Sequence, residues 1–168
     1  MSEQPQEVAV LRTNHGEIVV EFFPDKAPKH VEAFKKLVSS GFYNGTRFHR
    51  VIPGFMIQGG DPLTKDLSQK AYWGTGGPGY SVQAEFNDVR HVKGILSAAR
   101  SSNPHSAGSQ FFLMVATAPS LDGQYSAFGR IVSGQEVADK IVALARDHKD
   151  CPLSANEAII EEAVLETR

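Results

Sequence analysis

The sequence predicts a mainly β fold, an antiparallel barrel with two α-helices. Three observations predict it. Short segments rich in β-branched and aromatic residues recur between Gly, Pro and Asn turn signals. Two segments carry apolar residues at helical spacing. Strands and helices do not alternate in the βαβ rhythm that a parallel sheet requires. No internal repeat and no linker divides the 168 residues, so one domain with its own core is expected.

Taken in order, residues 1–7 are polar and read as a disordered tail, with no signal peptide or membrane anchor expected from them. Segments 8–13 and 17–23 alternate, and Asn14-His15-Gly16 between them marks a hairpin turn. Pro24 and Pro28 interrupt the sheet, and Pro28 suits the first turn of a helix. Val31, Phe34, Leu37 and Val38 then form an apolar stripe opposite Lys29, Glu32, Lys35 and Lys36, and Gly41 stops the helix. A turn over 43–46 leads into a strand over 48–52, where period-2 alternation places Phe48, Arg50 and Ile52 on one face. Pro53-Gly54 turns the chain into a second strand over 55–58, with Phe55 and Ile57 on one face and Met56 and Gln58 on the other.

Residues 61–80 are glycine-rich and read as a long surface loop. They contain no Gly-Lys-Ser/Thr and no following helix, which argues against a phosphate cradle. A short extended piece over 81–86 follows, then strands over 94–98, 111–115 and 127–132. A polar loop spans 100–109, and a tight turn spans 119–122. The second helix is expected over 135–145, with Val137, Ile141 and Leu144 as its stripe and Val142 beside them. A loop over 147–156 carries Cys151-Pro152, and 158–165 reads as the last strand.

The run from Phe48 to Asp61 is unusual because it sets one arginine and one amide among aromatic and aliphatic residues. Taken alone, it suits a buried hairpin whose arginine reaches solvent. The stretches Gly94-Ile95-Leu96-Ser97-Ala98-Ala99-Arg100 and Gly108-Ser109-Gln110-Phe111-Phe112 repeat the mixture of apolar side chains with one polar group. Together the three stretches closely resemble the cyclophilin family of peptidyl-prolyl cis-trans isomerases, and the resemblance runs from about Val8 to Leu165. It implies a closed eight-stranded antiparallel β-barrel capped by two α-helices, spanning residues 8–168. It further implies rotation of X-Pro bonds in flexible or unfolded protein segments, with no cofactor.

The same resemblance gives the site. Arg50 would act on the prolyl group and Gln58 would fix the arginine or the peptide. Phe55, Met56, Phe112 and Leu121 would line a proline pocket, although each also suits plain core. Ala99 and Arg100 would offer backbone groups to the residue before proline, Gln110 would flank the groove, and Tyr125 would form an aromatic wall. Three positions depart from the pattern of the best-known eukaryotic members. Ser120 stands where they carry a tryptophan that helps bind cyclosporin, so weak drug binding is expected. Tyr125 replaces a histidine, and Arg100 replaces an asparagine. Tyr125 and the Ala-Arg-Ser start of the 100–109 loop look more like bacterial members. A rival reading is a proline-peptide binding module or chaperone that uses the same groove without turnover. A scaffold role would call for an added domain.

Composition narrows the alternatives. Hydrophobic residues make up 41% and charged residues 21%, and the net charge is −2, which offers no basic excess for nucleic acid. No apolar run is long enough to cross a bilayer. The single cysteine cannot form an internal disulfide, which fits a reducing cytoplasm and also a secreted chain whose signal has been removed. The six histidines show no metal-ligand spacing. His49 should point away from Arg50 as a structural residue, and His105 should be solvated. No Gly-x-Ser-x-Gly is present, and nothing marks a base for Ser97, Ser109 or Ser126, so acyl transfer is not expected. No long exposed apolar stripe argues against a monomer.

Overall fold

The computed structural model describes residues 6–153 and 158–168. Residues 1–5 of the expected tail and 154–157 of the expected 147–156 loop lie outside the described residues. The strands are β1 (Glu7–Thr13), β2 (Gly16–Phe22), β3 (Arg50–Ile52), β4 (Met56–Gly59), β5 (Ile95–Ala98), β6 (Phe111–Met114), β7 (Ala127–Ser133) and β8 (Ile160–Thr167). The helices are α1 (Pro28–Ser39) and α2 (Gln135–Val142). All pairings between strands are antiparallel, in the order β3-β4-β6-β5-β7-β2-β1-β8.

This is a curled eight-stranded sheet, and the expected continuous closure is not what forms. β3 and β8 are the edges of the ladder. β3 is only three residues long, and its Val51 N–H donates to the Asp150 carbonyl (2.7 Å), so a loop covers that edge. The seam is drawn together by the segment before β3: Arg47 and Ile159 form an isolated bridge, and Phe48 N–H donates to the Ala158 carbonyl (2.9 Å).

Inside the curl, Leu11, Ile18, Ile57, Leu96, Phe111, Leu113 and Ile160 meet the apolar stripes of both helices, Phe34 and Leu37 from α1 and Val137 and Ile141 from α2. Each such fully buried side chain stabilises the fold by about 1.5–3 kcal/mol. Helix α1 begins at Pro28 as expected, but Ala27 before it supplies no side-chain cap. The Glu85 carboxylate does so from a distant loop, accepting from the backbone N–H groups of Lys29 (3.2 Å) and His30 (2.8 Å). The helix closes as expected at Gly41, whose φ of +79° suits glycine.

Several expectations need correction. Residue 7 belongs to β1 rather than the tail, and Gln6 already exchanges two backbone bonds with Arg168. The 61–80 loop contains two 3₁₀ helices, Pro62–Lys65 and Leu67–Tyr72, each begun by an aspartate side chain that accepts a backbone N–H. Helix α2 ends at Val142, earlier than expected. Phe48 does not share a face with Arg50: it lies in the inner core with Val51, where its backbone N–H is tied to Ala158 across the seam. Phe55 sits in the turn before β4 and joins the outer face with Met56, away from Ile57.

Candidate active site

Sheet register assembles the site. Across four strands, Arg50 pairs with Gln58, Gln58 with Phe112, and Phe112 with Ser97. Paired residues on one row project to the same face. Their inner neighbours Val51, Ile57 and Leu113 enter the core, so this row faces outward. Met56, Phe112, Met114, Ile95 and Ala127 form a second buried cluster on that outer face, joined by Phe55, Ala99, Leu121 and Tyr125. The patch opens into a cavity of about 110 Å³ lined by Arg50, Phe55, Met56, Gln58, Ala99, Arg100, Phe112, Leu121 and Tyr125.

Nine of the ten residues anticipated for the site therefore meet in one cavity. Gln110, the tenth, stands behind Gln58. Its role follows from a chain of hydrogen bonds whose polarity is fixed at one end. The Asp61 carboxylate is fully buried and accepts from the backbone N–H groups of Leu63 (2.8 Å), Gly74 and Gly76 (3.2 Å). The loop so held presents the carbonyls of Gly74 and Gly76, and both accept from Gln110 Nε2 at 2.9 Å. Gln110 must then turn its Oε1 toward Gln58 Nε2 (2.9 Å), which leaves Gln58 Oε1 facing Arg50 Nη1 (3.4 Å). The same wiring explains why the glycine-rich loop is no phosphate cradle: the N–H groups of Gly74 and Gly76 are already bound to a carboxylate. Gly60 makes the crossing possible. Its φ is +92°, and a Cβ there would lie 2.4 Å from the Ser109 carbonyl.

Arg50 is exposed, because β3 is an edge strand and its outward side chain faces the groove. Ala99 uses its N–H on the Gln110 carbonyl (3.0 Å), so its own carbonyl is what it can offer a ligand. The two departures at the rim are in contact: the Arg100 guanidinium lies 4.5 Å from the Tyr125 ring centroid and donates through Nε and Nη2 to the Gln124 carbonyl (3.0 and 2.8 Å). Ser120 is exposed beside Leu121 and adds no aromatic surface.

Sequence reasoning missed the floor of the cavity. The His91 ring stacks on Phe112 (centroids 6.0 Å apart), and Tyr125 meets Phe112 edge-on (5.6 Å). His91 Nε2 lies 2.9 Å from Ser97 Oγ, and Nδ1 lies 3.3 Å from Asp122 Oδ1. A Ser-His-Asp arrangement is thus present, contrary to the expectation that Ser97 has no base partner. Burial pushes the His91 pKa down, against the opposing pull of Asp122, so the ring is neutral near pH 7. A carboxylate only accepts, so Nδ1 carries the proton and Nε2 accepts from Ser97. Ser97 and His91 are 0% and 1% exposed beneath Phe112, which denies a substrate carbonyl access to Oγ. The unit orients the pocket floor and is not a nucleophile. Alternation along β5 could have placed Ser97 on the outer face, but no local pattern marks His91 or Asp122 as its partners.

Next to Arg50, His49 is 7% exposed and its Nδ1 is buried without a hydrogen-bond partner among the described residues. Burial lowers its pKa from 6.5 to about 4, with Asp61 opposing and Arg50 reinforcing the shift. His105 is exposed and lies 3.2 Å from the Ala84 N–H through Nδ1. Cys151 is buried, and burial raises its pKa, so it is not a reactive thiolate. Among the described residues no cluster of His, Cys, Asp and Glu could hold a metal ion, and no helix is long and apolar enough to cross a membrane.

The family model described as cyclophilin type peptidyl-prolyl cis-trans isomerase matches residues 8–164. A Brucella abortus protein named probable peptidyl-prolyl cis-trans isomerase is 47% identical over 141 residues, covering 82% of this chain and 72% of its own. Peptidyl-prolyl cis-trans isomerase A of Dickeya dadantii is 47% identical over 137 residues, covering 79% of this chain and 69% of its own. A crystal structure of a Cryptosporidium parvum cyclophilin, solved in the presence of the dipeptide Ala-Pro, superposes with a TM-score of 0.85 at 33% identity, covering 96% of this chain and 99% of that one. The chain belongs to the cyclophilin-type peptidyl-prolyl cis-trans isomerase family.

Proposed function

We propose that this chain is a peptidyl-prolyl cis-trans isomerase that accelerates rotation about X-Pro bonds in flexible protein segments, without a cofactor. The observation that carries the reading is the outward row Arg50-Gln58-Phe112, which sets a fixed cation and an aromatic floor in one small cavity. Amide resonance gives X-Pro rotation a barrier of about 18–20 kcal/mol. In the twisted transition state that resonance is lost, and the proline nitrogen becomes pyramidal and basic. Phe55, Met56, Phe112, Leu121 and Tyr125 would hold the ring, and Ala99 and Arg100 would take the residue before it. Arg50 would donate to the developing lone pair. It stays charged at any working pH and is oriented by Gln58, so the donor is in place before the bond rotates. No nucleophile, metal or proton transfer is required.

The rival, a binding module without turnover, would need the apolar floor but not the amide chain that aims Arg50. We further assign weak cyclosporin binding to Ser120, binding of unfolded proteins and chaperone-like assistance in folding to the same groove, and a monomeric, cytoplasmic protein in residues 8–168. The buried thiol of Cys151 suits a reducing compartment. The test is titration with the Ala-Pro dipeptide, followed by amide NMR, beside a protease-coupled assay of cis-to-trans isomerisation on an Ala-Pro-Phe peptide. Shifts centred on Phe112 and Gln58 together with a rate far above the spontaneous one are expected. Shifts without any acceleration would leave the binding module in its place.

A further inference from the structure

A second cavity shares the wall formed by Arg50 and Gln58 and opens on the side away from Ala99 and Arg100. It measures about 550 Å³, and His49, Trp73 and the 147–151 loop complete its lining. Its charge is one-sided. Arg50, Lys70 and Lys149 face it, against one carboxylate, Asp147. That carboxylate is already committed, because its Oδ1 accepts the backbone N–H groups of Lys149 (2.8 Å) and Cys151 (3.2 Å). Among the described residues neither Lys70, Lys149 nor Arg50 forms a salt bridge, whereas Lys26, Lys35, Lys93, Arg12, Arg130, Arg146 and Arg168 do. Lys70 is also held at the rim, with its ammonium 5.8 Å from the Trp73 ring centroid. The indole is fixed in turn, donating through Nε1 to the Asp66 carbonyl (3.2 Å).

We propose that this cavity is a subsite for an acidic side chain of the client peptide, placed one to three residues after the proline. The inference rests on the isomerase reading for its direction. If Ala99 and Arg100 take the residue before proline, the chain leaving the proline cavity crosses Arg50 toward the opposite side. There Lys70 and Lys149, neither of which forms a salt bridge among the described residues, flank a space large enough for an Asp or Glu side chain and its water. Charge-assisted contacts at a partly open site favour such a carboxylate modestly and weaken as salt rises.

The test uses the full chain and peptides built on Ala-Ala-Pro-Phe, carrying Glu, Gln or Lys at each of the three positions after proline. Dissociation constants are read by NMR titration, and turnover by exchange spectroscopy. At one position the Glu peptide should bind about threefold to tenfold tighter than its Gln partner at low salt. The preference should shrink in about 0.5 M NaCl, where the screening length is a few ångströms. A Lys70→Ala/Lys149→Ala variant should bring the Glu/Gln ratio to about one, and Lys70→Glu/Lys149→Glu should favour the Lys peptide. A ratio within one variant does not depend on how much of the sample is folded. A wild-type ratio of one at all three positions would overturn the proposal, as would a preference that survives the double alanine variant. So would equal binding of an acidic peptide that lacks proline. Absence of turnover on every peptide would instead refute the isomerase reading, and the affinity ratios would still decide on the subsite.

Discussion

His49 makes the folded state sensitive to acid through a group that touches the site. The perturbation is a fall in pH from 7.5 to 4.5, with His49→Gln as the control that cannot titrate. Unfolded, the ring takes a proton near pH 6.5; folded, it resists until about pH 4, because burial and the nearby Arg50 outweigh the opposing pull of Asp61 and of the Arg47 backbone. The unfolded state therefore binds more protons in this window, and stability falls as pH drops. At about 1.36 kcal/mol per pH unit, the loss attributable to His49 reaches about 1.4 kcal/mol by pH 5.5 and about 2.5 kcal/mol by pH 4.5. Urea denaturation at a series of pH values measures it. The difference in stability, wild type minus His49→Gln, should fall by about 2.5 kcal/mol between pH 7.5 and 4.5, whichever protein is more stable at pH 7.5. Carboxylates and the remaining histidines titrate in both proteins and cancel in the comparison. Parallel curves would mean that His49 accepts its proton freely when folded, and the account of its burial would be wrong.

Other consequences follow from the amide chain and the rim. Asp61→Ala removes the buried carboxylate that three backbone N–H groups share; it should cost about 2–4 kcal/mol in denaturant unfolding and raise hydrogen exchange at Gly74 and Gly76. Gln110→Leu keeps the volume but frees Gln58 to rotate, and should lower kcat/KM about tenfold with less than about 1.5 kcal/mol lost in stability. Arg100→Ala and Tyr125→Leu, alone and together, should show a coupling of about 0.5–1 kcal/mol in stability, because the guanidinium stacks on that ring; additive effects would contradict the contact.

Much of the fold was legible in the sequence because the strands obey the period of two and both helices carry apolar stripes. All eight strands and both helices fall within a few residues of their expected places. The places where local reasoning failed are those where tertiary contacts override the pattern. Phe48 turns inward because the chain before β3 is tied to Ala158 across the seam, not because of anything in its own neighbourhood. The 61–80 stretch looked featureless since its organiser, Asp61, lies at one end and its 3₁₀ turns have no apolar period. The family resemblance named ten candidate residues, of which nine line one cavity, and register sets Arg50, Gln58 and Phe112 in one row of it. The His91-Ser97-Asp122 unit was not legible: its members are separated by up to 31 positions and meet only when β5 lies beside the 119–125 turn.

The most direct test of the central claim is the isomerisation rate of Arg50→Ala beside wild type, measured at saturating proline peptide after both are shown to be folded and to bind it. If Arg50 stabilises the rotating bond, the variant should bind the peptide within a few-fold of wild type and lose about 10²–10³ in turnover. Undiminished turnover in Arg50→Ala would contradict the account and leave the cavity to work by apolar confinement alone.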